Sequence, residues 1–497
     1  MSALVLSGGR VIDPGTGFDG LADVRIVDGR IASVTPLDDH SPRPAPAPDD
    51  RVIDVTGLVV GPGFIDLHSH VHSIAGMRLQ AMDGVTTALD LESGLMPVAK
   101  GYADAAAAGR PLNYGFSASW GMARAVVHEG IVPTTDFHES LAMLGRTGWQ
   151  RSSTPGELDR WLDVLRAEIA DGALGIGVLL GYAPRSDPAE FVRVAALAAE
   201  AGVPTYTHVR EIVESDPTTP IDGSEEIARA AGETGAAMHH CHVNSTSRRH
   251  IDRVLTSLGK AQAAGSRVTV ECYPYGSGAT GIGAAFLAPD KLSRWELEPR
   301  NIILVATGER IADERRLIEV RATQPGAECV VEFLDESRPD HVALLQRSLS
   351  FPDSIVASDA MPVTFLDGTW ESTQWPLPEG GRTHPRTAGT YARSLRLMVR
   401  ETGTWTWLEA FRRCSWLPAR VLDDTTPDAH RLGHLGVGAD ADVVVIDPST
   451  VTDHATYADP TRPSEGIRHL LVGGIPVVLH GVMQEDLPGR PLRGTPR

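Results

Sequence analysis

Lysine is almost missing from this sequence: only Lys100, Lys260 and Lys291 occur, and arginine supplies the other positive charges. Acidic residues outnumber basic ones by 64 to 45, for a formal net charge of −19. That balance argues against nucleic acid as a partner, because its phosphates would be repelled, and against an anionic membrane surface. Cysteine is scarce as well. Cys241, Cys272, Cys329 and Cys414 are scattered without CxxC spacing, which fits reduced thiols in a cytoplasmic protein better than a disulfide framework. No apolar run approaches a membrane span, and the first ten residues hold too short an apolar stretch for a secretory signal. There is no repeat at a fixed period, and the one biased segment is the Pro-, Asp- and Ala-rich stretch at 37–50, read as an exposed loop.

What remains is the composition of a globular protein. At 497 residues, 42% hydrophobic and 22% charged, the chain is long enough for one large domain and a smaller one. Residues 3–57 read as short strands with a turn at Asp28-Gly29, and the last 65 or so, from Leu435 through Ile467 to Leu479, have the same character. The middle alternates apolar strands with Ala-, Leu- and Glu-rich helical patterns such as Pro188 to Ala201, Ser224 to Thr234 and Ser247 to Ala264. Eight strand candidates stand out: 64–70, 85–92, 112–119, 173–180, 204–209, 236–243, 268–275 and 353–359. Such alternation predicts an α/β protein built on a (β/α)8 barrel over 61–430. The expected insertion lies between strands seven and eight, at about 289–350. Segments 1–60 and 431–497 then form one small β-sandwich domain.

In such a barrel the C-terminal strand ends converge on one mouth. Here they carry chemistry. Strand one ends in His68-Ser-His70, whose period of two puts both imidazoles on one face. Strand two ends in Glu92, strand five in His208, strand six in His242 and strand eight in Asp359. Four imidazoles and two carboxylates suit a borderline divalent ion such as Zn2+, with one or two ions held. Strand six is ambiguous, since His240 and His242 share a face, whereas His239 and Cys241 point the other way. His72 extends the alternation of strand one but reads as a loop residue.

These motifs, taken in order, resemble the amidohydrolase superfamily and, within it, the D-aminoacylase (N-acyl-D-amino-acid deacylase) branch. They are Pro62-Gly-Phe-Ile-Asp-Leu-His-Ser-His70, Gly84-Val-Thr-Thr87, Gly172-Ala-Leu-Gly175 with Tyr182, Thr207-His-Val-Arg210 and His242-Val-Asn-Ser245. Tyr273-Pro-Tyr275, Ala357-Ser-Asp359, His384-Pro-Arg-Thr387 and Leu417-Pro-Ala-Arg420 follow, and the flavour is nearest to N-acyl-D-glutamate deacylases. The resemblance implies a zinc-dependent hydrolysis of a linear amide such as an N-acyl-D-amino acid, with Asp359 as general base and then acid. It favours His242 over His240 as the metal ligand. The substrate carboxylate and carbonyl would meet Arg386, Arg210, Tyr182, Asn244, Tyr273, Tyr275 and His384.

Two departures matter. Many superfamily members bridge two metals with a carbamylated lysine, but no lysine here lies at a barrel strand end. The branch's usual cysteine after strand two is also absent; the stretch reads Leu91-Glu92-Ser93-Gly94, which makes Glu92 the replacement, as ligand or bridge. Trp370, Trp375 and the Pro/Gly-rich 376–389 suggest a lid. Alternative readings are a hydrolase that cuts an amide or amidine in a modified peptide or a cyclic amide, and a non-catalytic metal-binding relative.

Overall fold

The stretch carrying His68 and His70 enters the molecule between two sheets. Val59–Pro62 belongs to a nine-stranded mixed sheet, and Phe64–Asp66 opens an eight-stranded parallel one. The computed structural model describes residues 3–37, 47–365, 369 and 372–495. Most of the expected loop at 37–50 and the tryptophan at 370 lie outside these residues. Glycine is required where the two sheets meet: a Cβ on Gly61 would lie 2.3 Å from the Phe411 ring, and one on Gly63 would lie 2.1 Å from Thr86.

The nine-stranded sheet is made by both chain ends. Val443–Ile446 runs antiparallel between Val59–Pro62 and Ile467–Val472, fastening the C-terminal strands to the N-terminal ones. Leu4–Asp13 is broken by a bulge between Leu6 and Gly9; its first half pairs with Arg51–Asp54 and its second with Val59–Pro62. The sheet encloses an apolar cluster of its own, including Leu6, Val24, Ile53, Val443 and Leu471. Asp28-Gly29, Gly473-Gly474 and His480-Gly481 all have positive φ at both positions, the backbone of type I′ hairpins.

The parallel sheet takes its strands in chain order: Phe64–Asp66, Val85–Leu95, Asn113–Ser119, Ile176–Leu179, Thr205–His208, Met238–His240, Val268–Cys272 and Ile355–Val356. A parallel bridge between Ser69 and Ala360 brings the last strand's extension against the first's, so the barrel is nearly closed. Several strands are shorter than their apolar patterns. The ladder stops where side chains take over the backbone donors at the mouth. Asp66 accepts from the N–H groups of His68 and Ser358 at 3.3 and 2.9 Å, and Glu271 accepts from the His242 N–H at 3.2 Å.

The helices between strands follow local chemistry. Pro188–Ala201 starts behind Asp187, whose carboxylate accepts from the Ala189 N–H at 2.9 Å, and stops at Gly202 with φ 67°. The third expected helix begins later than Ser247. Arg248, at φ 49°, separates a short turn at Val243–Ser247 from the helix Ile251–Ala263. The connection between strands seven and eight carries a three-stranded antiparallel sheet. Glu328–Glu332 lies between Ser277–Gly281 and Ile302–Leu304, so this sheet begins ahead of residue 289. Among the described residues, no helix is long and apolar enough to cross a membrane.

One buried arginine ties the eighth strand to the C-terminal helices. Arg413 donates through one nitrogen to the carbonyls of Leu349, Phe351 and Ser354 at 2.8–3.1 Å and to the Ser354 hydroxyl at 2.6 Å. Arg413→Met keeps the volume and strands those acceptors. The expected loss is about 3 kcal/mol of unfolding free energy, read from denaturant melts.

Candidate metal centre and active site

The strand ends bring the six sequence-predicted ligands to one place. The Nε2 atoms of His68 and His70 lie 3.2 Å apart, as the period of two requires. Glu92 is buried within the second strand, and its two oxygens face different partners. Oε2 is 3.4 Å from His68 Nε2 and 3.8 Å from His70 Nε2. Oε1 is 2.9 Å from His208 Nδ1 and 3.1 Å from His242 Nε2. Asp359 Oδ1 closes the first group, at 3.4 Å from His68 Nε2 and 3.6 Å from His70 Nε2. His242 and Asp359 both have left-handed backbone, with φ 33° and 52°. Such conformations are rare for non-glycine residues and are held here by their surroundings.

The donor set fits a divalent cation. His68 gives its Nδ1 to Glu271 at 2.6 Å and His70 gives its Nδ1 to Asp90 at 3.1 Å, so each Nε2 is left to face the centre. That is how metal-binding histidines are oriented. Charge makes the same point. Burial opposes a charged His68, but Asp359, Glu271 and Glu92 outweigh it and raise its pKa well above the ordinary value. His70 is likewise carried to about 9: Asp90 and Asp359 overcome the cost of burial. Burial would raise Glu92, yet His68, His208 and His242 hold it well below the usual carboxylate range. Without a metal, the surrounding carboxylates favour protons on His68 and His70, whereas burial pushes the His208 pKa down. A divalent ion supplies the same positive charge.

Strand six separates its histidines differently from a regular alternation, because the strand ends at His240. His242 reaches Glu92 and is held by the Ser245 hydroxyl at 3.0 Å from its Nδ1. His240 turns away, with Nε2 at 3.2 Å from the Ser224 hydroxyl. His239 is engaged by Thr269 and Glu271 at 2.7 and 2.9 Å. His72 is no solvated loop residue, since its Nε2 lies 2.9 Å from Asp90.

Glu271 and Asp90 were missed as site residues. Both left a trace in the sequence. Asp90 stands two positions before Glu92 and so shares its face, and Glu271 is the one acid in the strand Val268–Cys272.

The substrate candidates divide. Tyr182 and Tyr273 line the mouth cavity, which holds about 980 Å³ including its opening to solvent. Arg386 is buried and donates to Asp359 at 2.8 Å, while its Nε and Nη1 have no partner among the described residues. Arg210 does not reach the cavity: it is committed to Glu226 through two bonds of 2.9 and 3.0 Å and to the Pro184 carbonyl at 2.8 Å. Asn244, Tyr275 and His384 serve the scaffold. Asn244 accepts from the Tyr273 N–H at 3.3 Å, the Tyr275 ring lies under Arg393, and His384 joins Ser277 at 2.8 Å and the Arg386 N–H at 3.0 Å. Trp375 packs beside Leu79, Val363 and Phe365 and does not line the mouth cavity. Apolar lining comes from the connection between strands seven and eight, through Phe286, Trp295, Val331 and Phe333.

A family model described as "Amidohydrolase family" matches residues 51–478. The chain belongs to the amidohydrolase family. Within the family it stands with the D-aminoacylases and N-acyl-D-glutamate deacylases. D-aminoacylase of Alcaligenes xylosoxydans xylosoxydans is 29% identical to this amidohydrolase, over 99% of the chain and 98% of that protein. The N-acyl-D-glutamate deacylase of the same organism is 28% identical, over 99% and 96%. A crystal structure of N-acyl-D-glutamate deacylase from Bordetella bronchiseptica, with zinc and a phosphonate inhibitor, superposes with a TM-score of 0.75. It is 25% identical, over 99% of this chain and all of that one.

Two outcomes check the roles of these histidines and their partners. Glu271→Gln, which weakens the hold on His68, should lower zinc affinity about 10- to 100-fold, measured by competition with a chelating dye. His240 should behave as a structural group. Burial pushes its pKa down to about 3 from 6.5, so its stabilising effect is complete above 6.5 and drains as pH falls toward 3. His240→Asn should keep its metal content and show a shallower loss of melting temperature across that window.

Proposed function

We propose that this amidohydrolase removes the acyl group of an N-acyl-D-amino acid at a zinc centre held by His68, His70, Glu92, His208, His242 and Asp359. The observation that carries the proposal is the placement of Glu92. One buried carboxylate reaches two imidazole pairs, one oxygen to each, with Asp359 beside the first pair. On this reading Glu92 would stand in for the carbamylated lysine found elsewhere in the superfamily. The D-amino-acid reading draws its support from the full-length likeness to the D-aminoacylase branch.

When bound, a divalent ion lowers the pKa of water and polarises a carbonyl. The protein's own groups supply the rest. Asp359 is kept ionised: burial opposes this, but Arg386 and His68 outweigh it and lower its pKa. An ionised carboxylate at this position takes a proton from the attacking water and returns it to the departing amine as the C–N bond breaks. Arg386 donates one nitrogen to Asp359, and its buried Nε and Nη1, which have no partner among the described residues, are the donors we assign to the substrate's carboxylate. A Cβ on Gly278 would lie 3.4 Å from Arg386 Nη1 and 3.0 Å from Tyr273 Oη. The bare backbone of Gly278, which lines the cavity, leaves room beside both groups. Ser245 holds the His242 ring through its Nδ1, and the Tyr182 ring lies 4.7 Å from that of His208.

Asp359→Asn, purified with zinc and checked for metal content, should lose about 10³-fold in kcat on an N-acyl-D-amino acid. Undiminished turnover with metal retained would remove Asp359 from the mechanism.

A further inference from the structure

The cavity surrounding the centre has a chemistry of its own. Two apolar walls start at the centre, one on each side of Glu92. On the Oε2 side, the Phe137 ring stacks on His70 at 5.3 Å and 27°. Its helix, Phe137–Met143, continues the wall with Leu141 and Met143. On the Oε1 side, Phe286 stacks on His208 at 5.9 Å and 12°, and Trp295 stacks on Phe286 at 5.0 Å and 8°. Arg248 closes that stack from behind, 3.6 Å over the Trp295 ring, and holds the tryptophan against the cavity.

Equally telling is what does not line this cavity. Among the described residues, neither lysine nor arginine does, whereas Glu92 and Asp359 do. Arg386 is buried behind the lining residues Asp359 and Gly278, with one nitrogen on Asp359 and two without a partner among the described residues, enough for a single carboxylate. A substrate with a second carboxylate, as in glutamate or aspartate, would bring it into apolar surroundings with no cation to meet it.

We propose that the substrate is an N-acyl amino acid with bulky apolar groups on both sides of the scissile amide. The acyl chain is longer than acetyl and the side chain is apolar rather than acidic, with Phe137 and Trp295 as the residues that select for them. This rests on the deacylase reading of the same site. It departs from the acidic specificity that the likeness to N-acyl-D-glutamate deacylases implies, because specificity lies in the mouth loops and not in the ligand-bearing strand ends.

Binding and turnover separate the two ideas. N-octylsulfonyl-D-phenylalanine and N-methylsulfonyl-D-glutamate cannot be deacylated and are titrated calorimetrically into the zinc-loaded wild-type protein. The first should bind about 100-fold more tightly, and Phe137→Ala and Trp295→Ala should each cut that ratio about 10-fold. Equal or tighter binding of the glutamate compound, or a ratio untouched by both variants, overturns the inference. Hydrolysis of N-octanoyl-D-phenylalanine and N-acetyl-D-glutamate is followed in parallel. Faster turnover of the glutamate substrate also overturns the inference but leaves the deacylase reading standing. Turnover of neither removes that reading, and the calorimetric ratio still decides whether the walls select apolar groups.

Discussion

A carboxylate buried among four imidazoles sets the terms for the whole barrel mouth. Taken out of water, Glu92 is tolerable only with positive charge around it, and the fold provides that charge only through histidine protons or a bound cation. The lysine that would serve elsewhere is missing from every strand end. Each neighbouring feature answers that demand. Glu271 and Asp90 fix which nitrogen of His68 and His70 faces inward, Ser245 does so for His242, and Arg386 balances Asp359.

The barrel meets the demand by stopping its strands early. With only two or three residues in the first, sixth and eighth strands, the chain is free to leave extended geometry just where side chains must converge. The left-handed backbone at His242 and Asp359 is the local cost of that convergence. It is repaid by hydrogen bonds from deep carboxylates. Asp66 receives donors from both the first and the eighth strand, and Glu271 links His68, His239 and the His242 backbone. The chemistry at the mouth and the closure of the barrel therefore depend on the same buried acids.

Most of this architecture was legible in the sequence, and the parts that were not have a common cause. Strand positions, the pairing of chain ends and the convergence of His68, His70, Glu92, His208, His242 and Asp359 follow from apolar period and strand-end position, both of which are local. Contacts made across the barrel are not. Nothing near Arg210 in the sequence announces that Glu226 and the Pro184 carbonyl will claim it, so its fork looked free for a substrate. The regular alternation assigned to strand six failed at His242, because a left-handed residue changes the face without any warning from a glycine. The lid was sought in the Pro/Gly-rich segment by composition. In the structure Trp375 of that segment packs away into an apolar cluster, and the cavity takes Phe286, Trp295, Val331 and Phe333 from the connection between strands seven and eight.

The nine-stranded sheet carries a consequence for how the protein is made. Val59–Pro62 exposes an unpaired edge toward the place of Val443–Ile446, and nearly four hundred residues separate the two in the chain. During synthesis the strand stands open until the ribosome has added those intervening residues and released Val443–Ile446. Pairing of the two termini must come late, and until then a hydrophobic edge is available to other nascent chains. For this protein, slow translation or loss of the strands from Val443 onward endangers solubility before it touches the histidine and carboxylate cluster, which lies wholly within the part already made.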